Sequence, residues 1–369
     1  MRRLTALDGL RGVAAAIVVV YHLSLVAQPY LDSGTVGDPW WWVSASPFKI
    51  FTAGSQGVLV FFVLSGLVVA IPAMRKGFAW SGYYVTRLLR LYVPVWAALA
   101  LAAAFVILLP RDPSVVTANS WIADTNATTT TVAKWFSDAS LTRVGYDLDN
   151  VLWSLRWEVI FSVTLPAFLG VALLLRKAWL IGVLGSAALS AVGSVIGNSS
   201  LTYLPLFLMG TIGAVHLDDI RRWASARTAR FWLWLTIASL VVVVLGPVTA
   251  RILPSGSIAV PLFSALAGFG AAGLVLCALC APAWDRALST PVPQFLGRIS
   301  FSLYLVHVPI IATTTYLLGD QRWWLVAIIT IPLSVTVAWL FHNWVEKPSH
   351  RLAKTAGRQR GMVLSGGTS

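Results

Sequence analysis

The feature that most constrains this chain is a succession of long apolar runs, separated by short stretches that hold most of the charge. A helix of about 20 apolar residues crosses the roughly 30 Å hydrocarbon core of a bilayer. Ten such runs are readable, at residues 10–30, 52–73, 91–109, 152–175, 178–196, 201–217, 231–250, 259–280, 300–318 and 323–344. Of the 369 residues, 57% are hydrophobic and only 11% charged, where a soluble chain is about one quarter charged. That excludes a soluble enzyme, a disordered chain and a nucleic-acid-binding domain, even though the net charge is +13. The fold class implied is an all-α integral membrane protein, with about ten transmembrane helices in one bundle.

Charge gives the orientation. With the N-terminus in the cytoplasm and the spans alternating, 20 of the 27 Lys and Arg fall inside, six outside and Arg156 within a span. Both termini are therefore expected to be cytoplasmic. The segment after Arg2 and Arg3 resembles a signal peptide, but Asp8 and Arg11 interrupt it and no small-x-small site follows His22, so it reads as a retained first span. Residues 1–346 form the expected membrane domain, and 347–369 a basic, solvated cytoplasmic tail. The longest connection, about 110–150, lies outside and reads either as a lid or acceptor platform or as a passive loop. Cys277 and Cys280 sit in the apolar run AAGLVLCALCAP, where a redox pair would lack an electropositive, accessible thiolate; they read as small core residues. No metal-ligand spacing, P-loop or Gly-x-Gly-x-x-Gly is present.

Ionisable side chains inside spans are costly and mark a polar path or a partner. Arg11 and His22 are 11 residues apart. That is about 20° beyond three full turns, so on a helix they share a face about 16 Å apart along the axis. Arg11 is either a snorkelling cation or a ligand contact at the inner mouth, and His22 either a satisfied core histidine or a catalytic one. Counting rise from opposite ends of their spans brings Glu158 to a similar depth to His22, where a carboxylate could orient the imidazole. Trp153 and Ser154 precede Glu158 on the same span, Ser65-Gly66 close the run Phe61-Phe62-Val63-Leu64, and His307 lies within SFSLYLVHVPI. Ser65-Gly66 permits close backbone approach, of a neighbouring helix or of a ligand. Arg87 and Arg90, with Tyr92 beside them, stand at the entrance to the third span, where arginine forks suit phosphates and basic residues also serve topology.

These residues carry a family resemblance. LDGLRGVAAAIVVVYH, with Arg11 and His22, resembles the opening of the acyltransferase-3 family of integral membrane O-acyltransferases. FFVLSG, RLLRLYVPVW, LWSLRWEVIF, ISFSLYLVHVPI and WVEKPSHRL are similar to its later motifs, over nearly the whole chain. Val159 stands where the family often has a second acid beside Glu158. The resemblance implies a bacterial cytoplasmic-membrane enzyme that moves an acyl group, usually acetyl, from acyl-CoA to a hydroxyl. Acceptors in the family include cell-envelope glycans, lipid-linked sugars and macrolides. His22 and Glu158 would be catalytic. Arg11, Arg87 and Arg90 would hold the acyl-CoA, and Ser65, Gly66, Tyr92, Trp153, Ser154 and His307 would line the site. No metal and no nucleic acid is implied. The rival reading is a transporter or flippase of a sugar-containing lipid or small molecule.

Overall fold

The computed structural model describes residues 5–142, 146–254 and 256–365, with side chains through 357. Arg2, Arg3, Arg143 and residues 366–369 lie outside the described residues, as do the side chains of Arg358 and Arg360. Among the described residues every regular element is helical. The long helices are α1 (Thr5–Leu31), α2 (Gly54–Ala73), α3 (Trp80–Leu108), α4 (Leu152–Leu174), α5 (Trp179–Ile196), α6 (Ser199–Val215), α7 (Ala229–Ile252), α8 (Ala259–Cys280), α9 (Pro291–Leu318), α10 (Trp323–Phe341) and α11 (Lys347–Ser365). Among the described residues nine helical segments are long and apolar enough to cross a bilayer, and α6 with the helix Leu217–Ser225, bent by 70°, makes a tenth if the two count as one broken span. The all-α membrane fold read from the sequence is the fold observed.

Boundaries differ where charge stands inside a helix. The third span is expected from 91, yet α3 begins at Trp80. Trp80–Arg90 holds no proline, so nothing breaks a helix there, and Arg87 and Arg90 are carried as part of it. The solvated extension expected after Lys347 is instead helical. A π turn, His342–Glu346, leads straight from α10 into α11. Thr86 Oγ1 donates to the Ala353 carbonyl at 3.2 Å, and Gly82 crosses Gly357 so closely that a Cβ would come within 2.7 Å of its carbonyl oxygen.

The contacts divide the chain into two compact units. The first comprises Met1–Tyr21, Leu31–Arg75 and Thr164–Arg298. Its helices meet through glycine. A Cβ on Gly66 would lie 2.1 Å from the Phe207 carbonyl oxygen, and one on Gly210 2.1 Å from that of Val63, so α2 and α6 cross at backbone contact. Gly12 approaches the backbone of Gly297 and Leu296 in the same way. The turn between α5 and α6 is built by Gly197, at φ +69°, and by Asn198, whose side chain caps Leu201 N–H at 3.1 Å. Cys277 is fully buried and Cys280 packs on the same cluster, with Ala224, Trp232 and Ala281. A cavity of about 450 Å³ in this unit is lined almost wholly by apolar side chains, among them Leu10, Ile17, Val60, Leu274 and Trp284.

The second unit comprises His22–Tyr30, Lys76–Val163 and Ile299–Ser369. It includes the long connection, which is ordered into short helices at Trp121–Thr125 and Val132–Ala139. The connection is fastened to the membrane helices by hydrogen bonds. Tyr92 Oη and Trp96 Nε1, both on α3, donate to the carbonyls of Ser140 and Ala139 at 3.2 Å. Buried Arg111 donates to the Ala127 carbonyl at 2.6 Å and to Thr313 on α9 at 3.2 Å, and its guanidinium lies over the Tyr316 ring. Asp320 accepts from Tyr30 Oη and from Thr117 N–H, both at 2.6 Å.

Candidate active site

The second unit buries most of the side chains able to do chemistry. His22, two-thirds of the way along α1, and His307, midway along α9, form a hydrogen-bonded pair. Their Nδ1 and Nε2 atoms are 3.0 Å apart and their ring centroids 5.0 Å. His307 is fully buried and His22 nearly so, at 9% exposure. Nδ1 of His307 lies 2.9 Å from the carbonyl oxygen of Leu303, one turn earlier in α9. Trp121, from the long connection, packs against His22 with its ring 5.0 Å away. Tyr304 precedes His307 by three residues, so it shares its helix face, and the two rings are 6.0 Å apart. Its hydroxyl is bound to Ser154 Oγ at 2.7 Å, beside the Val151 carbonyl.

Glu158, expected from the sequence near His22, is engaged by Arg87 and Ser162. Glu158 Oε1 accepts from Arg87 Nη2 at 2.5 Å, while Arg87 Nε donates to Ser162 Oγ at 3.0 Å. Ser162 Oγ in turn donates to the Glu158 carbonyl one turn back. His307 is one ring bonded to His22. Arg87 reaches Glu158 because α3 starts at Trp80, about three turns before residue 91. Arg87 and Glu158 are 16% and 22% exposed, so their attraction is only partly screened.

The other residues singled out in the sequence are spread over both units. Ser154 and Tyr92 belong to the second unit and make the contacts given above; Trp153 and Arg90 belong to it as well. Arg11, Ser65 and Gly66 belong to the first. There Gly66 has the packing role described, and Arg11 is half-buried on α1. Three groups were missed. Tyr304 was legible, since it stands three residues before His307. Trp121 and Arg111 lie in an aperiodic connection that gives no facing signal.

Outside the spans, Asp149 precedes α4 and is fully buried. Burial pushes its carboxyl well above the usual carboxylate range, and the neighbouring charge of Asp138 adds to the shift. Asp138 itself accepts from Leu148 N–H at 3.1 Å. In the first unit, burial pulls the Lys49 ammonium down to about 8; it donates to the Thr52 carbonyl and lies over the Tyr21 ring. Among the described residues no three His, Cys, Asp or Glu side chains are grouped to hold a metal ion.

A buried pair of imidazoles with a serine–tyrosine pair beside it can move a proton. Comparison with known proteins says for which reaction. Residues 4–343 match the acyltransferase-3 family, described as an acyltransferase domain. The chain belongs to this family. It is accordingly an acyltransferase, built as an all-α membrane protein. Acyltransferase MdmB of Streptomyces mycarofaciens is 25% identical over 97% of this chain and 94% of its own length. A Staphylococcus aureus (strain COL) protein with an O-acetyltransferase name is 24% identical over 94% of this chain. The chain spans 57% of that relative's length. Nodulation protein 10 of Rhizobium leguminosarum bv. viciae is 25% identical over 81% of the chain. No solved structure matches.

Proposed function

We propose that this acyltransferase moves an acyl group, acetyl in the simplest case, from acyl-CoA to a hydroxyl of a glycan, glycolipid or macrolide-like acceptor in the bacterial cytoplasmic membrane. The observation that carries this reading is the buried His22–His307 pair, on helices that cross the bilayer. An imidazole ionises near neutrality and suits the removal of a hydroxyl proton. His22 acts as general base. As the acceptor oxygen attacks the thioester carbonyl, its proton passes to His22; the carbon–sulfur bond then breaks, and His22 returns the proton to the CoA sulfur. General base catalysis of this kind contributes about 10²–10⁴-fold.

The anionic donor calls for cations. Arg11, Arg87 and Arg90 are assigned to its phosphates, with Glu158 and Ser162 holding the Arg87 fork in one orientation. Tyr92, Trp153 and Ser154 are assigned to the lining of the path. Donor entry from the cytoplasm follows from the distribution of Lys and Arg, which favours both termini inside. External cysteine labelling should reach Thr129→Cys and spare Arg358→Cys.

The reading is tested with protein purified in detergent and acetyl-CoA labelled in the acetyl group. Slow hydrolysis of the donor, or transfer of label to an added sugar, is expected. Arg11→Ala and Arg90→Ala should each weaken acetyl-CoA binding, because each removes a charge-assisted phosphate contact of about 1.5–3 kcal/mol. Unchanged donor affinity in both would reduce these arginines to topology signals.

A further inference from the structure

The geometry points to His307 as a positioning residue that fixes the tautomer of His22, a role that rests on His22 being the base. The Leu303 carbonyl fixes the first hydrogen. A carbonyl oxygen can only accept, so the hydrogen between it and His307 Nδ1, across 2.9 Å, belongs to the ring. His307 is fully buried, and among the described residues no carboxylate pairs with it. A second ring proton would be a buried charge without an anion, so the ring is neutral and its Nε2 carries a lone pair. Nε2 faces His22 Nδ1 at 3.0 Å, and one hydrogen must lie between them. With Nε2 an acceptor, that hydrogen is on His22 Nδ1. In neutral His22 the lone pair is then on Nε2, which is the nitrogen that takes the acceptor's proton.

The chain Leu303 carbonyl, His307, His22 does with a backbone oxygen and a second imidazole what a carboxylate does in a catalytic triad. No proton crosses to His307 in the cycle. The hydroxyl proton arrives on His22 Nε2 and leaves from the same atom to the CoA sulfur, while Nδ1–H stays bonded to His307 throughout. The other titratable groups nearby are Tyr304, hydrogen-bonded to Ser154, Glu158, paired with Arg87, and Asp149, whose carboxyl acts with that of Glu158 on Tyr304.

Two variants and a spectrum test this. His307→Gln keeps an oxygen able to accept from His22 Nδ1; His307→Phe keeps a ring without an acceptor. In the ¹⁵N spectrum of histidine-labelled protein, wild-type His22 should show a protonated Nδ1 and an unprotonated Nε2. His307→Phe should move hydrogen to Nε2 and His307→Gln should not. For acetyl-CoA hydrolysis, with water as acceptor, His307→Phe should lower kcat about 100-fold with KM for acetyl-CoA unchanged, and His307→Gln should recover most of it. A wild-type His22 protonated on Nε2, a His307→Phe spectrum like wild type, or a wild-type kcat in His307→Phe would each overturn the assignment. If His307→Phe does not fold, the wild-type spectrum and the His307→Gln rate decide the matter. A His22→Ala variant at wild-type rate would instead remove His22 from the chemistry, and the spectrum would still decide the tautomer.

Discussion

In the first unit several helices meet backbone to backbone at glycine; in the second, glycine contact at Gly82 and Gly357 is joined by many hydrogen bonds between polar side chains. Gly66, Gly210 and Gly12 have no room for a single added carbon. His22, His307, Ser154, Tyr304, Arg87 and Glu158 are buried or half-buried and joined to partners on other helices. Inside a bilayer, helix association gains little from hydrophobic burial, so close packing and interhelical hydrogen bonds are the two available devices. The chain relies more on the first device in the first unit and more on the second in the second unit. The difference teaches where tolerance should lie: shape is fixed in the first unit, and in the second the chemistry of particular atoms.

That contrast can be broken by substitution. Gly66→Val should have the largest effect on stability, a loss of about 3 kcal/mol, because the new carbons meet the backbone of Phe207 rather than a yielding side chain. A thermal melt in detergent reads it; a melt like wild type would mean that the crossing yields easily. In the second unit, Arg87→Leu leaves a half-buried carboxylate without its cation and should cost about 2 kcal/mol, less than for a fully buried pair because water reaches both groups. Adding Glu158→Leu should restore part of the loss, which a double-mutant cycle would measure. Ser154→Ala removes one hydrogen bond of Tyr304 while the Val151 carbonyl remains beside its hydroxyl, and should cost about 1 kcal/mol.

The smallest change is visible only as a function of pH. The Asp149 carboxyl is raised in the folded state, so the stability linked to its protonation is fully present below the ordinary value of 3.8 and is lost as pH rises through the folded value. Asp149→Asn has no such proton to lose. Its melting temperature should match wild type near pH 4 and exceed it increasingly toward neutrality. A constant offset across that range would show that Asp149 does not titrate with folding.

The sequence makes the first unit easier to read than the second. Most of its helices are announced by length and apolarity alone; the pair on either side of Asn198, short and glycine-rich, is the hardest to read. Even Ser65-Gly66 was legible as a place of close approach. In the second unit the residue types were legible and their partners were not. Periodicity put Arg11 and His22 on one face of α1, and rise per residue put Glu158 at a similar depth to His22, but neither pointed to His307, a hydrogen-bond partner of His22 285 residues away on α9. Side-chain pairing across helices depends on rotation about each axis, which a depth count does not contain. The same holds for Trp121, brought to His22 by a connection whose short helices carry little periodic signal.

The central claim is that the polar unit does the chemistry through His22. It is tested most directly by the rate at which purified, folded His22→Ala protein hydrolyses or transfers the acetyl group of acetyl-CoA. The account predicts a loss of about 10²-fold or more, with a melting temperature close to wild type. A folded His22→Ala protein that turns over acetyl-CoA at the wild-type rate would contradict it.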